Sequence, residues 1–547
     1  MRSCAVASFL GVLAALSLGY AQTETPKPAA KAPETPSDQK AYTAASRTMD
    51  PTKKLEALEK FKADFPTSDM LSAADSAILR TLVKQFPSQK GRIMKQAKAM
   101  YAGAEAREKG STANEIAVEF VDAGRFLGDA ERYAKIGVAD MQEARYAKEL
   151  KEGYEKRKQT VPSDEEIAKR YRESRATRVA TLGRVEVARG QTARGQKLLE
   201  EAWAANPNQP VVGAILGELA YKAGNDQKAM ELLVPARLSG RAPAGAVQAL
   251  EALYRKQHNG SIEGLDAMLD AEYRRLYPNP VKVEAYHPTE KRSDRLVLAE
   301  VFTGSGCPPC VGADLAFDAA MERFPSKDLA VVMYHQHVPR PDPMTNPDTI
   351  ARSKAYEVRG VPTYAIDGKT LGGGGGARDN AGKIYERIVT PIEKDLELPA
   401  EARLTAHAAI SGNTVKVTGA VGDVKEKSGD LKVRVLLVEK EIRYNGENGI
   451  RFHPMVVRAI AEEKADGAYS HTFHVDEVSA GLKKHLDEYE AAGHRGETFK
   501  FIEKKDAIDR ANLVVVVMVQ DDKTRHVLQS AMIDLSTEGK KIPTETK

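Results

Sequence analysis

The sequence predicts a multidomain protein in three parts: an α-helical repeat region over 46–280, an α/β domain over 281–398 and an antiparallel β-sandwich over 399–537. Three observations predict it. Before Pro278, apolar residues recur at intervals of three and four. After it, strand-like runs alternate with helical periodicity. Beyond Pro399, short strands separated by turn signals follow, with one helical interruption. A length of 547 residues fits several domains better than one.

The amino terminus sets the compartment. Met1-Arg2, the apolar and small residues from Ala5 to Gly19, and Gly19-Tyr20-Ala21 before Gln22 read as a signal peptide over 1–21. Cleavage removes Cys4 and leaves an exported protein, periplasmic or extracellular and soluble. No later stretch approaches about 18 continuous apolar residues, so no integral membrane segment is expected after cleavage. Residues 22–45, rich in Pro, Ala, Lys and Thr, read as a disordered linker, and 538–547 as a tail. Hydrophobic residues at 42% and charged residues at 29% fit a globular chain. With 81 basic against 77 acidic residues, a net charge of +4 gives no support for nucleic acid or an anionic membrane as partner.

In the helical region, Leu55, Leu58, Phe61 and Phe65 mark an amphipathic helix. Leu182-Gly183, Gly190, Leu199, Ala202 and Pro207 are followed 34 residues later by Leu216-Gly217, Gly224, Leu233 and Ala236. This period resembles the tetratricopeptide repeat. Ala229 falls at a small-residue position of that pattern, where the earlier unit has Gly195; the usual large aromatic is absent in both (Val179, Gly213). Two units cannot bury their faces alone, so Asn114 to Met141 and Ala246 to Leu276 are candidates for flanking pairs. The alternative is a plain helical bundle. Either way the region is non-catalytic, and the repeats are expected to bind protein partners.

The α/β part opens with Val281-Lys282-Val283-Glu284, which alternates, and continues with strand candidates at Leu296 to Phe302 and Leu329 to Tyr334. Helices are expected at Val311 to Phe324 and Ile350 to Glu357. After signal cleavage the chain keeps two cysteines, at Cys307-Pro308-Pro309-Cys310. A C-x-x-C pair between a strand and a helix is a redox motif. Beside a helix N-terminus the positive dipole end favours the Cys307 thiolate as exposed nucleophile, with Pro308 in the first helical turn and Cys310 as resolving thiol.

Downstream stand Gly360-Val361-Pro362-Thr363 and Tyr364-Ala365-Ile366-Asp367-Gly368. In this order the segment from about Val281 to Glu397 resembles the thioredoxin superfamily. The resemblance implies that Pro362 is cis and faces the cysteines, and that Val361 offers backbone to an extended substrate. It places the run Gly372 to Gly376 in or after the last strand, ahead of a helix starting near Asp379. Two departures stand out: Gly306 replaces the tryptophan usual before the first cysteine, and the family's buried acid has no clear counterpart. Glu300, seven residues before Cys307, is the candidate proton relay, a salt-bridged glutamate being the alternative. His335 and His337, on one face if strand-bound, would with the cysteines suit zinc, but an oxidising compartment works against it; no metal and no cofactor are expected. The histidines read instead as rim residues, and Pro339 to Asp348, with four prolines, as an inserted loop over the site.

In the last part, Val415-Lys416-Val417, Leu431 to Val438, Tyr469 to Val475, Leu513 to Val519 and His526 to Ile533 are the strands, with a helical insert over Val478 to Ala492. His453 reads as a core histidine. These readings lead to an exported thiol–disulfide oxidoreductase acting on protein disulfides, more a reductase or isomerase than a strong oxidant, with client proteins and an unidentified thiol–disulfide electron donor. The alternative is an envelope scaffold in which the redox-type domain is incidental.

Overall fold

A computed structural model describes residues 37–425 and 430–535. The signal peptide, most of the linker and the tail lie outside them. Within the described residues the linker is shorter than expected, because a helix spans Ser37–Ser46. The chain forms two units, one ending at Gly195 and taking in 495–497, the other holding 196–494 and the residues from 498 onward. The boundary thus cuts the helical region rather than ending it.

The first unit is helical. Asp50 caps the Pro51–Asp64 helix by accepting from the Lys53 N–H (2.8 Å), and Pro51 occupies the first turn, where no donor is needed. Leu55, Leu58 and Phe61 are buried, and Phe65 stacks on Phe61. Asn114 to Met141 holds most of the helix Lys109–Asp122 and all of Leu127–Ala139. In the longest helix, Asp164–Ala188, Gly183 and Val187 lie against Gly195: a side chain there would meet the Gly183 carbonyl at 2.8 Å.

The second unit continues the helical hairpins with Pro210–Lys222, Asp226–Leu238, Ala244–Gln257 and Leu265–Leu276. Gly224 adopts φ +75° at the turn, which only glycine does cheaply. The missing aromatic is supplied from outside the pattern: Trp203 fills the space over Gly213, where a Cβ would lie 2.8 Å from its ring. The last of these helices is tied to the sheet by Asp270, which accepts from Arg451 (2.7 Å) and Arg443 (2.6 Å).

Eleven strands are described: β1 Val297–Thr303, β2 Leu329–His335, β3 Thr363–Ile366, β4 Lys369–Gly373, β5 Arg403–Ser411, β6 Thr414–Gly422, β7 Leu431–Arg443, β8 Phe452–Lys464, β9 Ala468–His474, β10 Leu513–Asp521 and β11 Val527–Asp534. The region is a mixed sheet of eight strands, ordered β11-β10-β7-β8-β2-β1-β3-β4, plus a three-stranded antiparallel sheet, β5-β6-β9. β1 and β2 run parallel, β1 and β3 antiparallel; β2 meets β8 in parallel at Met333↔Val456. The expected sandwich is therefore not a separate layer pair. One of its layers is the same sheet that carries β1–β4, and the boundary drawn at 398 runs through that sheet.

Alternation on β10 explains the sharing. Val514, Val516 and Met518 join the core around β1 and β2, whereas Val515, Val517 and Val519 face Val415, Val417 and Phe473 of the small sheet. A strand apolar on both faces belongs in the middle of a covered sheet. Coiling brings β11 toward β1: Ser530 Oγ donates to the Leu296 carbonyl (2.7 Å). Buried Arg295 locks this junction, donating to Asp367, Glu401 and the carbonyls of Pro399 and Val527.

Two helices bracket the strands near the cysteines, Cys310–Arg323 and Pro347–Ala355, and a third spans Ala381–Leu396. Val281 to Glu284 forms no strand. Val281 packs with Val311 and Leu315 instead, an apolar residue buried without sheet pairing. The helical insert spans Val475–Ala492.

Candidate functional site

β1 ends at Thr303, and a short loop delivers Cys307 and Cys310, which form a disulfide. The helix begins at Cys310, so Pro308 and Pro309 lie in the turn before it, and the Cys310 N–H donates to the Cys307 carbonyl (3.1 Å). Cys307 is 1% exposed and Cys310 fully buried, while the two prolines between them are exposed. The expectation of an open Cys307 is corrected for this disulfide form. The Val361–Pro362 peptide is cis, and the Cys307 Sγ lies 3.7 Å from the Val361 carbonyl oxygen. Cys307, Cys310, Val361 and Pro362 are thus brought together.

The glycine run has a packing role. Gly376 N–H donates to the Pro309 carbonyl (2.7 Å). A Cβ on Gly375 would lie 1.9 Å from the Pro309 oxygen and 2.7 Å from Pro362 Cγ. Backbone alone fits between the cysteine turn and Pro362.

Glu300 is not at the cysteines. It faces Pro347–Ala355 and its neighbours: Arg352 pairs with Oε1 (2.6 Å), Tyr334 donates to the same oxygen (2.9 Å) and Tyr356 donates to Oε2. Its carboxylate is saturated by these donors, and the salt-bridged alternative holds. The opposite face of β1 carries Thr303, whose hydroxyl donates to Asp314 Oδ1 (2.7 Å). Asp314 is buried one helical turn beyond Cys310, at i+4, and burial pushes its carboxyl up to about 6 against the Thr303 hydrogen bond. Sequence reading passed over Asp314, although its spacing from Cys310 was legible.

His335 ends β2, and His337 lies beyond it, so the two do not share a strand face. Buried Asp342 accepts from His335 Nδ1 (2.8 Å), the Ser305 N–H (2.6 Å) and the Met344 N–H (2.8 Å), and these hold its carboxyl well below the usual range. The Asp342 N–H donates to His337 Nδ1 (3.0 Å), which leaves the His337 proton on Nε2, 3.3 Å from His485 Nε2. Burial pulls His337 down to about 3. Its ring stacks on Tyr489 at 3.6 Å, and Tyr489 donates to His494, which in turn donates to the Pro339 carbonyl (3.0 Å). The helical insert therefore clamps the proline-rich loop. Among the described residues, no group of three or more His, Cys, Asp or Glu side chains is arranged to hold a metal ion. His453 is a core residue; its Nε2 lies 3.0 Å from the Tyr444 carbonyl, and burial pulls it down to about 3.

The tip of that loop comes to the cysteines. Gly306 has no side chain because Arg340 occupies its place: a Cβ at 306 would lie 2.6 Å from Arg340 Cβ. A Cβ at 304 would meet the Val338 carbonyl at 2.7 Å, and the Val338 side chain is exposed. Among the described residues no helix is long and apolar enough to cross a membrane.

A search of curated proteins found no match. Among solved structures, HBP35 of Porphyromonas gingivalis is similar at 16% identity, over 48% of this chain and 80% of that one, with a TM-score of 0.32, too loose a likeness to carry an argument. Residues 186–254 match the family model of the tetratricopeptide repeat, which supports a repeat character for the helical region and a role in protein–protein interaction.

Proposed function

We propose that this is an exported thiol–disulfide oxidoreductase whose α/β part is thioredoxin-like, working on protein disulfides as a reductase or isomerase, with the helical repeats binding partner proteins. The observation that carries the reading is the Cys307–Cys310 disulfide at the end of β1, with the Val361 carbonyl 3.7 Å from Cys307. In the reduced form, the Cys307 thiolate attacks one sulfur of a partner disulfide, forming a mixed disulfide and releasing one partner thiolate. Cys310 then attacks the Cys307 sulfur, closing the internal disulfide and releasing the second thiolate. Two electrons pass to the partner, and an external dithiol restores the enzyme. Val361 offers its carbonyl to an extended partner chain beside the reacting sulfurs.

The test is turnover of a protein disulfide with dithiothreitol as donor. Cys307→Ser is expected to lower it to the dithiothreitol background, and reduced Cys310→Ser, freed of dithiothreitol before the partner is added, to accumulate mixed disulfides on Cys307. Equal turnover by wild type and Cys307→Ser would leave the scaffold reading, in which the repeats alone matter.

On this reading Asp314, at i+4 from Cys310 on the same helix, takes the proton of Cys310 through water. Resolution of the mixed disulfide should rise with pH through about 6, where Asp314 ionises. In Asp314→Asn that step should lose its inflection, while the Thr303 hydrogen bond persists. Stability gives an independent readout. The folded state holds this proton more tightly than the unfolded chain, so its contribution is full at acid pH and is lost as pH rises through about 6. The asparagine variant should therefore gain on wild type above that pH in urea unfolding, and a pH-independent difference would remove this role.

A further inference from the structure

We infer that Arg340 is a specificity residue that selects partners carrying a carboxylate beside the reacting disulfide; this rests on the oxidoreductase reading above. The loop tip from Val338 to Arg340 is held from behind by the His337–Tyr489 stack and by the bond from His494 to the Pro339 carbonyl. What it presents outward is an exposed valine and an exposed arginine.

The position of the arginine is fixed by its stem. Gly306 gives up its side-chain space to Arg340 Cβ and Cγ, at 2.6 and 3.0 Å from where a Cβ would stand, one residue before Cys307. Its ionic partner, Glu447 Oε2, is 3.7 Å away, and the two side chains are 64% and 42% exposed. An exposed pair at that separation is weak, so an incoming carboxylate can replace Glu447 at little cost. Because Cys307 is 1% exposed, a partner sulfur reaching it must press against the residues that cover it, with Val338 and Arg340 flanking that approach. A cation there attracts an acidic chain approaching Cys307.

The experiment measures exchange rates of the reduced full-length protein with three small disulfides: a dicarboxylated aryl disulfide, neutral bis(2-hydroxyethyl) disulfide and cationic cystamine. For each probe the variant rate is divided by the wild-type rate. Arg340→Gln is expected to slow the anionic probe by about twofold to fivefold, to leave the neutral one unchanged and to speed cystamine. Arg340→Glu should widen both effects, Arg340→Lys should restore most of the anionic rate, and added salt should compress all of them. Reaction of wild type with all three probes but an unchanged anionic-to-cationic ratio in Arg340→Glu overturns the inference alone. No reaction with any probe overturns the oxidoreductase reading, and this inference with it.

Discussion

Arg352→Met is expected to destabilise the second unit by about 3–5 kcal/mol, the range for stranding a buried charge. Glu300 is fully buried and Arg352 is 5% exposed, with 2.6 Å between them. Without the guanidinium, the carboxylate keeps only the Tyr334 and Tyr356 hydroxyls in an apolar core. Burial, and after it the Glu300 charge, raises both phenols, Tyr334 well above its ordinary value. Urea unfolding with an unchanged slope reads the loss as a shift in midpoint. The double variant Glu300→Gln with Arg352→Met should recover much of the loss, because what hurts is the unpaired ion rather than the missing pair. A loss below about 1 kcal/mol in the single variant, the level of an exposed pair, would show that water reaches Glu300.

On the proposed oxidoreductase reading, Gly375→Ala should have the largest effect on exchange chemistry among substitutions that leave the cysteines in place. Its methyl group would overlap the Pro309 carbonyl at 1.9 Å and press on Pro362. Either the cysteine turn or the Val361–Pro362 segment must retreat, and a displacement of about 1 Å can cost on the order of a hundredfold in rate. Reduction of the internal disulfide by dithiothreitol and turnover of a partner disulfide should both change. Gly382→Ala is the control, since nothing lies within 4 Å of a Cβ there. Equal kinetics in the two variants would mean that the Gly374–Gly376 segment yields without disturbing the site.

Much of this was legible because local chemistry and fold agree there. β1 is a continuous apolar run leading into C-x-x-C, and Leu329 to Tyr334 repeats the pattern, so strand and motif were placed within a residue or two. β5 was missed because Arg403–Ser411 is alternating but alanine-rich, which weakens its strand propensity. β8 was missed because Pro454 and a charged second half interrupt the signal. Sheet membership could not be read at all: the valines of β10 declare that both faces are covered, but not by what. At the site, spacing revealed the cysteines, whereas Val361-Pro362 came from the resemblance to the thioredoxin superfamily. Glu300 was misassigned because distance along a strand says nothing of which face a side chain takes until the flanking helices are known. Arg340, thirty residues away in a loop, carries no periodic signal.

The continuous eight-stranded sheet sets what can be inherited or expressed as a piece. A gene fragment ending at 398 would keep both cysteines, yet it would strip β2 of β8 and remove the Val527 carbonyl and Glu401 that satisfy Arg295. Such a fragment exposes an unpaired strand edge and leaves Arg295 only Asp367 of its four partners, and it would be sticky rather than minimal. The smallest portable piece of this chain that holds the cysteine pair must therefore carry its carboxy-terminal strands through β11, so recombination would move the cysteines and the strands downstream of them as one block.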